Sequence, residues 1–263
     1  MTMPGARLRG LASELKFSIL FCTRLPLGHS ALIEGPDIAR ASWAIPIAGA
    51  LVGVIGALVY WIAFEIGLPS LLAAGLTLAA TLIATGCLHE DGLADTADGF
   101  GGGKNREHKL AIMRDSRVGT YGACALIISL ALRSSALATM ADPLAVTMAL
   151  VAAHTSARAT LPTFMLFVPP ARTDGLSAHA GRPPRASVAV AGVLGLITLG
   201  LGLGPVIAVI SLLLLSSAGV FMAWLCVKQI GGQTGDVLGA LEQVNEILIL
   251  LAAATLLKAG SEP

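Results

Sequence analysis

Apolar runs of about 20 residues, each long enough to cross a bilayer as a helix, constrain this chain more than any other feature. They occupy 43–66, 68–88, 119–140, 143–168, 187–204, 206–227 and 237–257. In hydrocarbon every backbone N–H and C=O must be satisfied within the segment, so runs of this kind are helices. Gly204-Pro205 divides a stretch too long for one crossing. Composition agrees, since 13% of the 263 residues are charged, and a soluble domain carries about 25% to cover its surface. The predicted fold is all-α, a polytopic transmembrane helical bundle of about six to seven spans. It forms a single integral membrane catalytic domain over residues 1–263, with no internal repeat of fixed period and no separable module. The 30 glycines suit close helix contacts in lipid.

Ahead of the first run, Leu8, Leu11, Leu15, Ile19 and Cys22 recur at three- and four-residue steps among Arg7, Arg9, Glu14, Lys16 and Arg24. That pattern predicts a short amphipathic helix lying in the interface, ended by Pro26. Its apolar part, Phe17 to Cys22, is too short and too charged at its front for a secretory signal. Lys and Arg gather in this segment, in 89–118 (Lys104, Arg106, Lys109, Arg114, Arg117), in 169–186 (Arg172, Arg182, Arg185) and, with Lys228, in 228–236. The alternate connections, around Gly67-Leu68, Ala141-Asp142 and Gly204, carry none. All four polar segments therefore fall on one side, which the positive-inside rule makes cytoplasmic. The 169–186 segment is expected to meet anionic lipid headgroups or substrate. A net charge of +1 without a basic stripe argues against nucleic acid as a partner. Cys22, Cys87, Cys124 and Cys226 stand singly, as packed thiols do.

The most informative stretch is His89-Glu-Asp-Gly-Leu-Ala-Asp-Thr-Ala-Asp-Gly99. Asp91, Asp95 and Asp98 stand at i, i+4 and i+7, so all three carboxylates share one helix face. Like charges at that spacing destabilise a helix unless a cation sits among them. Carboxylates at a membrane boundary are costly and mark an ion or substrate site. Hard oxygen ligands without clustered Cys or His favour Mg²⁺ or Mn²⁺ over zinc. His89-Glu90 does not open an H-E-x-x-H motif, because position 93 is Leu. Gly99 to Lys104, including Gly101 and Gly102, reads as a flexible, amide-rich turn able to cradle phosphate, although its spacing is not that of a Walker A loop. Arg114 and Arg117 are three apart and can reach one polyanion. Asp115 either adds a metal ligand or holds an arginine.

A second polar knot runs from Gly231 to Asp236, followed by Glu242 and Glu246 inside an apolar run. Buried glutamates need partners, and Arg133, His154 and Arg158 lie within other spans to supply them. A structural salt bridge and a functional role are both open for these interior charges, with a structural role favoured for His154.

The segments Asp91–Gly99, Ile112-Met-Arg-Asp-Ser-Arg-Val-Gly-Thr-Tyr-Gly122 and Gly231-Gly-Gln-Thr-Gly-Asp-Val-Leu-Gly-Ala240 resemble, in that order, the signatures of the bacterial cobalamin synthase family, adenosylcobinamide-GDP ribazoletransferase. Phe21-Cys-Thr-Arg-Leu-Pro26 is similar to that family's N-terminal element, so the resemblance runs nearly end to end. Glu90 departs from it, standing where the family is often apolar. The resemblance implies an enzyme of the bacterial inner membrane, multi-pass, using Mg²⁺, with its active site facing the cytoplasm. It implies transfer of the phosphoryl-cobinamide moiety of adenosylcobinamide-GDP to a hydroxyl of α-ribazole or its 5′-phosphate, with release of GMP. On that reading Asp91, Asp95, Asp98 and Asp115 are candidate metal ligands. Lys104, Arg114, Arg117, Gly101, Gly102, Asp236, Glu246 and Arg158 are candidate substrate or phosphate ligands. Asp98 is the expected base beside Asp91 and Asp95. The bilayer and the two small molecules are the expected partners, and the oligomeric state is left open.

Two other classes remain in view. A CDP-alcohol phosphotransferase shares Asp91, Gly92 and Ala94 but needs Arg where this chain has Asp95. An ion-coupled secondary transporter is expected to place charge near mid-bilayer and to show repeated halves.

Overall fold

The computed structural model describes residues 4–26, 38–175 and 180–259. Among these residues the chain is helical, with one isolated β-bridge and no strand. The helices of seven residues or more are α1 (Pro4–Cys22), α2 (Ile45–Glu65), α3 (Ser70–Thr85), α4 (Leu88–Gly102), α5 (Arg106–Ile112), α6 (Thr120–Met140), α7 (Pro143–Phe167), α8 (Arg185–Ile230) and α9 (Gly235–Ala259), with short helical turns at Ile38–Ala41 and Ser42–Ala44 leading into α2. Five helical stretches are long and apolar enough to cross a membrane, and the bent pair α3–α4 makes a sixth. The 46-residue α8 is itself two crossings, because Gly204 is non-helical at φ 76° and ψ 168°. Gly192 and Ala223 line one cavity, although a straight helix would hold them about 46 Å apart. The chain therefore folds back at Gly204-Pro205, and each of the seven expected runs becomes a helix.

The 68–88 run is shorter than expected. It stops at Thr85 and turns by 90° into α4. Gly86 (φ 64°) and Cys87 (φ 58°) are both left-handed, and Cys87 N–H donates to Leu82 O at 3.1 Å in a Schellman arrangement. A left-handed non-glycine residue costs about 1–2 kcal/mol, so the turn at Cys87 is imposed by the packing of α4 against α6 and α9. It carries the acidic helix out of the crossing and across the end of the bundle.

Close glycine contacts set the centre. On α2, a Cβ at Gly53 would lie 2.8 Å from Leu150 O of α7, so only glycine permits that approach. Around this crossing Tyr60, Leu137, Leu150, Leu199 and Leu250 form the main apolar core. Asp142 starts α7 by accepting from Ala145 N at 2.7 Å.

The first helix corrects one expectation. Glu14, Phe17, Ser18 and Cys22 are buried against the protein, while Leu11 is 42% exposed. Of the expected stripe only Leu11 points away: Leu15 and Ile19 are half-buried, Cys22 packs with Ile45 and Ala48 in a small apolar cluster that Ile19 joins, and the side chain of Leu8 lies outside the described residues. The cause is polar: Glu14 accepts from Trp43 Nε1 at 2.7 Å and pairs with Arg40 Nε at 2.9 Å.

The polar segments meet at one end, as the charge pattern requires. Arg106 Nη2 donates to Ala171 O at 2.8 Å, Lys109 bonds Gln229, Ala171 N donates to Gln233 O at 2.8 Å, and Arg24 N donates to Ala84 O at 2.7 Å.

Candidate active site

The acidic face is built by a glycine crossing. Gly92 of α4 and Gly239 of α9 touch so closely that a Cβ on Gly92 would lie 2.8 Å from Asp236 O. The contact draws Asp236, at the start of α9, against Asp91 and Asp95. Burial, then Asp91, Asp236 and Asp98, push the Asp95 carboxyl up to about 7, with Arg172 the opposing charge. Among the described residues neither the Asp91 nor the Asp95 carboxylate has a hydrogen-bond or ion-pair partner. This is the shared carboxylate face that the i, i+4, i+7 spacing predicts, with Asp236 added from a distant helix. Asp91, Asp95 and Asp236 are hard-oxygen groups of the kind divalent cations take and are short of positive charge beside one guanidinium, but among the described residues no three carboxylates of this face bring ligand atoms within 4.8 Å of one another.

Arg172 reaches the cluster through backbone pairing. Pro169 and Ala171 exchange hydrogen bonds with Gln233 at 2.8 Å each. Gly232, at φ 159°, lies against Pro169 O where a side chain would collide. Arg172 Nη2 then meets Asp236 Oδ2 at 3.2 Å, and Thr234 Oγ1 donates to the same oxygen at 3.1 Å. The sequence by itself places Arg172 only in a general basic segment. Its partner is 64 residues away, and no local pattern announces the pairing.

Asp98 is placed differently from the expected base. Its Oδ2 accepts from Gly119 N at 2.7 Å and its Oδ1 from Gly122 N at 2.9 Å, so both oxygens cap the start of α6. Asp98→Ala is expected to cost about 1–2 kcal/mol as a lost helix cap, seen as a lower melting temperature in detergent. Asp98→Asn is expected to keep part of that stability and most of the turnover.

The expected phosphate turn is helical. Gly101 and Gly102 belong to the last turn of α4, so their amides serve the helix ladder and do not face a ligand. A Cβ on Gly101 would lie 2.6 Å from the Tyr121 ring, which makes close packing the reason for glycine there. Lys104 is exposed just beyond, its N–H directed to His108 Nδ1 at 3.3 Å. Arg114 and Arg117 do not converge on one polyanion. Arg114 binds both oxygens of Asp174 at 2.6 and 2.7 Å, and Arg117 holds Asp115 at 2.6 Å. Asp115 takes the second of its two expected roles and is not among the charges acting on Asp95.

Beneath the acidic face lies a sealed ion network. Glu246 and Arg158, expected near substrate, are each 1% exposed within it. Arg158 Nη1 meets Glu242 Oε1 at 2.5 Å, and Arg133 Nη1 meets Glu90 Oε1 and Glu246 Oε1, each at 3.1 Å. Glu90 thus serves as an Arg133 partner. Arg158 Nη2 lies 3.2 Å from His89 Nδ1. Guanidinium only donates, so that nitrogen carries a lone pair and His89 is neutral. Its 3.7 Å approach to Glu242 is therefore no ion pair. His154, Glu242 and Glu246 offer ligand atoms within 4.8 Å of one another, close enough to hold a metal ion. Two of these three already face Arg158 and Arg133, which distinguishes this group from the open carboxylates above it.

A sequence model of the cobalamin-5-phosphate synthase family matches residues 14–254. The adenosylcobinamide-GDP ribazoletransferase of Bradyrhizobium diazoefficiens is 58% identical over 96% of this chain and 97% of its own length. The proteins of the same name from Mesorhizobium japonicum and Azorhizobium caulinodans are 50% and 41% identical, over 98% and 92% of this chain and 99% and 95% of their own lengths. No solved structure matches.

Proposed function

Because this chain belongs to the cobalamin-5-phosphate synthase family, we propose that it transfers the phosphoryl-cobinamide moiety of adenosylcobinamide-GDP to a hydroxyl of α-ribazole or α-ribazole 5′-phosphate. The products are GMP and adenosylcobalamin or its 5′-phosphate. The observation that carries the reading at the site is the pair of unpartnered carboxylates, Asp91 and Asp95, beside the Arg172–Asp236 pair at the basic end of a membrane bundle. The chain acts as one catalytic domain of the bacterial inner membrane, with this end facing the cytoplasm, where Lys and Arg concentrate.

The chemistry is one displacement at phosphorus. The acceptor oxygen forms a new P–O bond, the P–O bond to GMP breaks with its electron pair leaving on GMP, and the acceptor hydroxyl gives up a proton. Asp91 and Asp95 would hold Mg²⁺, since that ion commonly binds through one or two carboxylates plus substrate phosphates. When bound, Mg²⁺ neutralises charge on the phosphate oxygens and the leaving group. Asp236 replaces Asp98 as proton acceptor. Its Oδ2 is fixed by Arg172 and Thr234, which leaves Oδ1 to take the hydroxyl proton. Arg172 supplies fixed positive charge beside the phosphorus. Lys104 and Arg117 stand outside this group and are left to gather anionic substrate.

Purified protein in detergent, given adenosylcobinamide-GDP, α-ribazole and Mg²⁺, is expected to release GMP in step with a cobalamin product. EDTA is expected to stop it and added Mg²⁺ to restore it. A folded preparation that releases no GMP, yet converts a CDP-activated lipid precursor, would overturn this reading in favour of a CDP-alcohol phosphotransferase.

A further inference from the structure

Two cavities of opposite character flank the Arg172–Asp236 pair. One, of about 250 Å³, is walled by Cys22, Ile45, Leu161, Met165 and Leu238 and has Asp91 and Asp236 at its polar edge. The other, of about 560 Å³, opens toward water and is lined by Arg106, Arg114 and Arg172 with Asp174. Arg172 belongs to one cavity and Asp236 to the other, and their 3.2 Å contact is the partition between them.

Displacement at phosphorus needs the attacking and departing oxygens roughly in line, on opposite sides of the transferred group. The two reactants must therefore approach from separate compartments that meet at the phosphorus. Resting on the functional reading above, we propose that the apolar cavity seats the flat aromatic base of the acceptor, and that the arginine cavity seats the phosphate and base of the departing guanine nucleotide. A bicyclic aromatic base suits an enclosed wall of Leu, Met and Ile, which binds by excluding water. Its ribose then emerges at Asp236, the proposed proton acceptor. On the other side, three guanidiniums match phosphate oxygens bidentately. Arg114 now grips both oxygens of Asp174, a carboxylate in the position of a phosphate. That pair is 53% and 62% exposed, and exposed pairs of this kind contribute about 0–1 kcal/mol, so a more highly charged phosphate displaces Asp174 easily. Arg106, tied to Ala171 O by one nitrogen, keeps the rest of its fork for the ligand.

The test uses the whole protein in nanodiscs. GMP binding is measured by equilibrium dialysis in EDTA, and KM for α-ribazole is measured separately by GMP release. Arg106→Ala with Arg114→Ala is expected to weaken GMP binding at least about tenfold and to leave the α-ribazole KM within about twofold. Met165→Phe, with Leu238→Trp as a second filling variant, is expected to raise the α-ribazole KM at least about tenfold and to leave GMP binding unchanged. Variants of one cavity that move both quantities, or the wrong one, overturn the partition while wild-type turnover keeps the reaction assignment. Absence of wild-type turnover overturns the reaction assignment itself, and the partition falls with it.

Discussion

Asp95→Asn, and Asp91→Asn beside it, are expected to lower GMP release by at least about a thousandfold, the scale of losing a preorganised charge at a phosphoryl-transfer centre. The fold is expected to survive. Neither carboxylate has a bonding partner among the described residues, so the substitution breaks no contact. For Asp95 the folding term even runs the other way. Its carboxyl is pushed from about 4 up to about 7 by burial and by Asp91, Asp236 and Asp98. The folded state therefore binds protons more tightly than the unfolded chain, and the wild type loses stability as pH rises between these values. In EDTA at pH 8, Asp95→Asn is expected to melt higher than wild type, with the gain shrinking as pH falls toward 4. Lost activity with equal or higher melting temperature marks a functional carboxylate. A variant that keeps near-wild-type turnover would remove Asp95 from the site.

Arg158→Met is expected to produce the largest loss of stability. Arg158 is 1% exposed, lies 2.5 Å from Glu242 and donates to His154 O at 3.1 Å. Removing it leaves Glu242 without its cationic partner inside the bundle, at a cost of about 3–5 kcal/mol. Arg158→Met combined with Glu242→Gln removes both charges, and Gln243 still donates toward that position, as it now does to Glu242 Oε2 at 3.0 Å. The double variant is expected to regain more than half of the loss, measured by thermal unfolding in detergent. Equal melting of Arg158→Met and wild type would show that the pair contributes nothing to the fold. Recovery in the double variant separates a charge-balancing role from a packing role, because the volume lost is then the same or greater.

Some of the site is legible from spacing alone. Carboxylates at i, i+4 and i+7 share a face on any α-helix, and Asp91 and Asp98 both act on Asp95 as that geometry demands. The need of Glu242 and Glu246 for cationic partners comes from burial, and Arg158 and Arg133 meet it, with His154 beside Glu246 at 3.0 Å. Other parts are not legible. The Gly99–Gly103 run reads as flexible, yet Gly99 to Gly102 are helical, and at Gly99 and Gly101 the side chains of Met113 and Tyr121 leave no room for a Cβ. Asp98 reads as a base, yet it is held by amides 21 and 24 residues further along the chain. A glycine kept for close approach and a glycine kept for freedom look the same in a sequence.

Features that one segment decides alone are open to reading from the chain. Length and hydropathy set each crossing, because lipid forces the backbone of a spanning segment to satisfy itself. The distribution of Lys and Arg sets which connections share a side, and helical periodicity sets the acidic face. Features that need two segments to meet are settled in three dimensions. The 90° turn at Gly86-Cys87 aims the acidic helix, the Gly92–Gly239 contact brings Asp236 to Asp91 and Asp95, and the Gln233 pairing delivers Arg172 to Asp236. Those choices rest on van der Waals fit and charge pairing between residues up to about 150 positions apart, which no local pattern encodes.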